Sequence, residues 1–478
     1  MKLYNPVCRC QSIGACVNST QAPLLYASSV PSAHKGREKL LRQMIERIDM
    51  THDSPRRTRA VLRMLVMLLG IAGTGLAGSR VHENGTAAAP AGSPVPAGDS
   101  RKLTIDVAGF DRQRILRLAD RALDMTPMAI THFRASLSEG GPHDFYSNGD
   151  YWWPDPNKPD GLPYIQRDGQ SNPGNFSAHR MALRDMRDAV AALAAAYAVS
   201  GRDEYAQKSV ALLQVFFLDP ETRMNPSLLY AQAIPGRVSG RGIGIIDTLH
   251  LAEVAMAIIE IDTSEAMTAD IRRDLKKWFA DYSEWMTTHK YGLDEMNAKN
   301  NHSVAYMVQL AAFATLTGDM QKLDLCRERY KKVFVPQQMA ADGSFPQELG
   351  RTKPYGYSIF QLDNMAILCQ LLSTPEDDLW TFMLPDGRSI QKAVEFLYPY
   401  LLDKSKWPHR PDVQHFEAWP VRQPVLLFAA CAFGDQKYLD LWKRLDPDSA
   451  DPEVRRNMAI TQPLLWLRFP ADVRAEPD

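Results

Sequence analysis

The sequence predicts an all-α fold: a toroid of helical hairpins, an (α/α) barrel, with its long loops on one rim. Three observations predict it. One punctuation recurs at three places, Gly201 with Asp203, Gly318 with Asp319, and Gly434 with Asp435. Glycine closes a helix because it tolerates the left-handed conformation, and aspartate caps the next helix. The helix before each mark is apolar on most faces and the helix after it is charged, so the first belongs inside and the second outside. The inner set comprises the helices ending at Val199, Leu316 and Ala432. Finally, no stretch after residue 101 alternates as a β-strand does.

In chain order, residues 1–49 carry no periodicity. Arg56, Arg57, Arg59 and Arg63 then precede the apolar run Met64–Gly78. A basic flank, a short apolar core and small residues match an export signal, and the run is short of the roughly 20 residues a spanning helix needs. Met50 is the more natural start for such a signal, which makes residues 1–49 an expected over-long gene start. Residues 79–100, rich in Ala, Gly, Pro and Ser, read as a linker. The expected division is an extension, signal and linker over 1–100 and one toroid domain over 101–478. The expected location is periplasmic or secreted, with no stable membrane insertion after processing.

Within the domain, Asp111–Leu137 and Ala178–Val199 read as helices. Others end near Phe217, Phe334 and Leu445, and more fit at 245–262, 266–288, 356–373, 389–402 and 451–466. Long loops fall at 138–176, 225–244, 290–301, 341–356 and 405–423. Sharing one face, they form a groove suited to a polymer. The formal charge of −1 gives no basis for nucleic-acid binding. The six cysteines form no CxxC pair and no Cys/His ligand spacing, so no metal site is expected, and no cofactor.

Two polar clusters stand at the mouths of apolar helices: Asn301-His302, and Glu348 with Arg351, Tyr355 and Tyr357. A helix start favours negative charge and disfavours an imidazolium. It therefore predicts a neutral His302, a Tyr357 with phenolate character, and a place for an anionic group. Asn301 and Arg351 are donors suited to a carboxylate, and His302 and Tyr357 form an acid/base pair. This set suits removal of the C5 proton of a uronate, with charge moving onto its carboxylate, followed by proton donation to the departing O4. The plainer readings make His302 a capping residue and pair Arg351 with Glu348. Tyr151, Trp152 and Trp153 offer flat faces to sugar rings, or plug the barrel mouth as core. His179, Arg180, Arg241, Tyr355 and His415 are further candidates for the groove.

Asn300-Asn301-His302-Ser303, Glu348-Leu349-Gly350-Arg351 and Tyr357 resemble the motifs of the alginate lyase superfamily. Tyr151-Trp152-Trp153-Pro154-Asp155-Pro156 and Asp168-Gly169-Gln170-Ser171-Asn172-Pro173 are similar to one branch of it, bacterial lyases of mannuronan or β-1,4-glucuronan. The likeness covers about residues 103–465. It implies an incomplete (α/α) toroid and β-elimination from an anionic polysaccharide. It implies that Asn301 and Arg351 neutralise the carboxylate while His302 and Tyr357 handle protons. In well-known mannuronate lyases of the superfamily the tyrosine stands one residue further from the arginine than Tyr357 does. Two other functions compete: an (α/α)-barrel glycoside hydrolase with paired carboxylates among Asp150, Asp155 and Glu348, and a non-catalytic glycan-binding protein.

Overall fold

The computed structural model describes residues 105–467. The basic flank, apolar run and linker read in the sequence lie outside these residues. Asp106 caps helix α1 (Val107–Leu123) by accepting from the Gly109 amide. The helix expected to reach Leu137 stops at Leu123. Pro127 follows, and its ring removes the α conformation from the residue before it and a donor from the ladder.

The aromatic loop contains three very short strands, β1 (Tyr146–Asn148), β2 (Trp152–Trp153) and β3 (Ile165–Gln166). Helix α2 (Ala178–Ser200) follows, ended by Gly201 at φ 67°, and then α3 (Asp203–Leu213). Asp203 is not the cap expected of it; it lies inside α3 and accepts from the Ser264 hydroxyl. Strand β4 (Tyr230–Ala233) pairs in parallel with β1, while β2 and β3 pair antiparallel. The sequence reading missed these strands because two to four residues are too few to show alternation.

A 3₁₀ segment over Gly242–Thr248 leads into α4 (Leu251–Glu260), then α5 (Ala269–Thr288) and α6 (Lys290–Met296). Helix α6 occupies part of an expected loop, and its start is capped by the His289 ring accepting from the Tyr291 amide. Next come α7 (Asn301–Thr317), ended by Gly318 at φ 76°, and α8 (Met320–Arg329), capped by Asp319. The short α9 (Pro346–Leu349) precedes α10 (Pro354–Leu372) and α11 (Ile390–Leu402). Helices α12 (Pro424–Phe433) and α13 (Gln436–Arg444) repeat the glycine-aspartate hairpin at Gly434 and Asp435. The last expected helix is broken into α14 (Pro452–Asn457) and α15 (Leu464–Leu467).

Helix α2 packs on α4, α4 on α7, α7 on α10 and α10 on α12. Helix α15 touches α2, α4 and α10, closing the arc from inside. Outside lie α1 and α3 on α2, α5 and α8 on α7, α11 on α10, and α13 on α12. The three helices assigned inward from sequence, now α2, α7 and α12, are in the inner arc. The described residues thus form an incomplete (α/α) toroid.

The break between α14 and α15 has a physical cause. Glu253 on α4, fully buried, accepts from the Thr461 and Gln462 amides at 2.7 Å each. Those amides are thereby lost to a helix ladder. Arg187 on α2, 1% exposed, pairs with Glu253 at 3.1 Å and donates to the Met458 and Ala459 carbonyls. One buried ion pair therefore stitches the C-terminal segment across two inner helices. Removing Glu253 leaves the buried Arg187 with only the partly exposed Asp188 carboxylate, 2.7 Å away, as counter-charge, and breaking a buried pair costs about 3–5 kcal/mol. Glu253→Ala is expected to lose stability on that scale in denaturant unfolding; a loss under about 1 kcal/mol, the scale of an exposed pair, would contradict this role.

Candidate active site

Helices α7 and α10 open onto a single cavity of about 460 Å³. Asn301, His302, Arg351 and Tyr357 all line it. The aromatic loop, α2, the 241–250 segment and α14 supply the other walls.

Glu348 on α9 is 1% exposed and holds the start of α7. Its two carboxylate oxygens accept from the Asn301 backbone amide at 2.8 Å and the Asn301 side-chain amide at 2.5 Å. This satisfies a donor that a helix start leaves orphaned. It also uses one of the two Asn301 side-chain hydrogens and leaves the other. Burial pushes the Glu348 carboxyl up against the pull of these donors.

Arg351 does not pair with Glu348. It donates to Asp168 at 2.8 Å, and the Thr352 hydroxyl donates to the same carboxylate. Burial works against charge on both partners, yet the pairing outweighs it: Arg351 is raised and Asp168 is held below the usual carboxylate range.

His302 keeps 20% of its side chain exposed, and its Nδ1 lies 2.7 Å from Glu295 on α6. The contact assigns the proton of the neutral ring to Nδ1 and leaves Nε2 as the basic nitrogen. Burial pulls the imidazole pKa down, but the Glu295 carboxylate more than offsets it, and the net shift is upward. The lowered imidazole pKa expected from the helix start is thus corrected in direction: a buried carboxylate overrides the weaker helix field and makes the neutral ring a stronger base.

Tyr357 is 7% exposed. Its hydroxyl is 2.5 Å from that of Tyr151, which also accepts from Arg456 at 3.0 Å. The Arg351 guanidinium lies 4.7 Å from the Tyr357 ring centre. Burial raises the phenol pKa well above its ordinary value, more than Arg351 lowers it. The expected phenolate character is corrected in turn: Tyr357 is a held, protonated phenol.

Of the remaining candidates, Tyr151, Trp152, Arg180 and Arg241 line the cavity. Trp153 stands outside the lining; its indole donates to the Gln170 carbonyl and Arg167 covers its ring. Tyr355 is fully buried, donates to the Tyr400 carbonyl at 2.9 Å and packs against Trp407 and Phe416. His179, 2% exposed, accepts from the Tyr146 amide, contacts the Phe133 carbonyl and sits among Phe145 and Phe176. His415 pairs with Asp451 at 3.0 Å, away from the cavity. Tyr355 and His179 are taken up by packing and His415 by Asp451, so none of the three lines this cavity as the sequence reading expected.

The carboxylates proposed for hydrolysis are all engaged. Asp150 is bound by Arg180, Arg456 and Ser171, and these hold it far below the usual range despite burial. Asp155 organises its own turn through the Asn157 amide. Glu348 is the buried cap of α7. Sequence reasoning missed Asp168, Arg184, Asp247, His250, Glu295 and Arg456 as parts of the site. Arg184 had a readable signal, its spacing of four from Arg180 on one helix face. Arg456 had none, because it arrives from α14.

The alginate lyase family profile matches residues 131–407, more than half of the chain. An alginate lyase from Bacteroides ovatus is 37% identical, with a TM-score of 0.65, covering 74% of this chain and 93% of that one. Alginate lyase A1-III from Sphingomonas species A1 is 16% identical, with a TM-score of 0.47, covering 75% of this chain and 94% of that one. No curated protein matches the chain. The family match and the 37%-identical relative define a polysaccharide lyase. The chain belongs to the alginate lyase family.

The Glu295 contact has a pH signature. Because the folded His302 pKa is raised above 6.5, the pair contributes stability that is fully present below pH 6.5 and is lost as pH rises through the folded value. Glu295→Gln removes the raising charge and leaves the burial. Magnetic resonance titration of His302 is expected to show its pKa falling in this variant. The acid limb of activity should move to lower pH with it. An unchanged titration would show that Glu295 does not govern the ring.

Proposed function

We propose that this lyase cleaves a 4-linked uronic-acid polymer, polymannuronate or β-1,4-glucuronan, by β-elimination that leaves an unsaturated uronate end. The observation that carries the reading is the opposed state of two groups in one cavity. His302 has a carboxylate partner that makes it the stronger base, and Tyr357 is held as a protonated phenol.

In the proposed mechanism, His302 Nε2 takes the C5 proton. Negative charge moves onto the C6 carboxylate, where Asn301 and Arg351 meet it. Asp168 occupies the Nε and Nη2 edge of Arg351, and the Nη1 edge faces no hydrogen-bond partner among the described residues. A preorganised donor of this kind is worth roughly 100- to 1000-fold in rate. The C4–O4 bond then breaks, a C4–C5 double bond forms, and Tyr357 gives its proton to O4. Trp152 lines the cavity with the Arg237 and Arg241 guanidiniums over its ring, 5.3 and 5.9 Å from its centre. The Bacteroides ovatus relative carries the name alginate lyase, which favours polymannuronate as the first substrate to test. The basic flank and apolar run before residue 79 support a periplasmic or secreted enzyme.

The test follows turnover of polymannuronate by the ultraviolet absorbance of the conjugated product. Tyr357→Phe is expected to keep fold and binding and to lose at least about 100-fold in turnover, the low end for acid–base catalysis. Tyr355→Phe is expected to keep turnover and lose about 1 kcal/mol of stability with its hydrogen bond to Tyr400. Near wild-type turnover in Tyr357→Phe would overturn the assignment.

A further inference from the structure

One cation in the cavity is left over. Arg180 is bound by Asp150, Asp247 and the Asn148 carbonyl. Arg241 is bound by Gln232, Arg351 by Asp168, and Arg456 by Asp150 and Glu453. Arg184 lines the same cavity and makes no hydrogen bond or ion pair among the described residues. It stands four residues after Arg180 on α2, about 6 Å deeper along the helix. Burial, with Arg180 and Arg456 beside it, pushes its pKa down to about 10. A partly buried guanidinium among like charges is held at a cost in the free protein, and an incoming anion relieves it.

A second observation points the same way. His250, at the start of α4, lines the cavity and is 2% exposed. Neither of its ring nitrogens has a hydrogen-bond partner; the Arg455 and Arg456 backbone lies nearby but outside bonding geometry. Buried polar atoms are ordinarily satisfied. Burial, helped by Arg187 and Arg184, holds the ring neutral against the pull of that backbone, so one nitrogen is a donor without a hydrogen bond of good geometry.

The charge balance of the lining agrees. Five arginines (180, 184, 241, 351 and 456) face three aspartates (150, 168 and 247). The buried Glu453 further balances Arg456, which leaves one positive charge in excess, matching Arg184, unpaired among the described residues. Arg351 enters from the start of α10, whereas Arg184 enters from α2, with α4 and α7 between them in the ring.

We propose that Arg184 and His250 form a second carboxylate-binding site, which holds the acidic sugar next to the one undergoing elimination. The inference rests on the proposed uronate-lyase reading and deepens it. It makes the enzyme a reader of two consecutive uronates, and a neutral or esterified neighbour is discriminated against.

The experiment compares the wild type with Arg184→Gln and Arg184→Lys on oligomannuronate, fully charged and partly methyl-esterified. Loss of a charge-assisted bond is expected to raise KM about 10- to 100-fold in Arg184→Gln. The change in kcat should be much smaller, because the reacting atoms lie elsewhere. Arg184→Lys should recover part of the loss. The wild type should prefer the fully charged oligomer, and Arg184→Gln should lose most of that preference. Its melting temperature should be unchanged or higher, since a repelled charge is removed; a lower one with unchanged KM would make Arg184 a structural residue and overturn the site. An unchanged KM with preference retained would overturn it as well. Failure of the wild type to yield unsaturated product from any of these oligomers would instead overturn the parent reading, so the two failures are distinguishable.

Discussion

A single buried carboxylate, that of Glu348, ties together the two helix starts on which this site depends. It accepts both the backbone and side-chain amides of Asn301. Glu348 sits three residues before Arg351 and nine before Tyr357, so the bond joins α7 to the segment that opens α10. Asn301, His302, Arg351 and Tyr357 are thereby fixed around one cavity. The same bond explains why Glu348 cannot serve as a hydrolytic acid: it is committed to capping. Glu295 plays the parallel part beneath His302, and Asp168 beneath Arg351. Three acidic side chains thus hold the imidazole, amide and guanidinium that would act on substrate.

The far wall depends on the C-terminal segment. Glu253 and Arg187 pin residues 458–462 across α2 and α4. That anchorage delivers Arg456 from α14 to Asp150 and to the Tyr151 hydroxyl, which touches Tyr357. The C-terminal segment therefore links the buried pair between α2 and α4 to the phenol at the cavity, through Arg456 and Tyr151. Stability and chemistry meet there, because the segment that packs against α2, α4 and α10 also supplies a cation to the site.

The inner helices were legible in the sequence because the glycine-aspartate hairpins and all-round apolar composition of α7 and α12 report burial directly. Asn301, His302, Arg351 and Tyr357 were legible as polar groups placed against apolar helix starts. Their pKa directions were not: the helix field suggested a lowered imidazole and a lowered phenol. Glu295 and burial, both set by tertiary structure, reverse these directions. Tyr355, His179 and His415 look like site residues by type and neighbourhood, and only packing shows their rings turned into structure. Arg456 and the Arg187–Glu253 pair were hidden because their partners lie far away in sequence.

The central claim is elimination rather than hydrolysis at this cavity, and the composition of the products tests it most directly. Polymannuronate digested by the full chain should be resolved by mass spectrometry with ultraviolet detection. The account predicts that each cut creates a new end that absorbs in the ultraviolet and is lighter by one water than a hydrolytic product. Saturated products carrying that water would contradict it and return the carboxylates of the cavity to the role of catalysts.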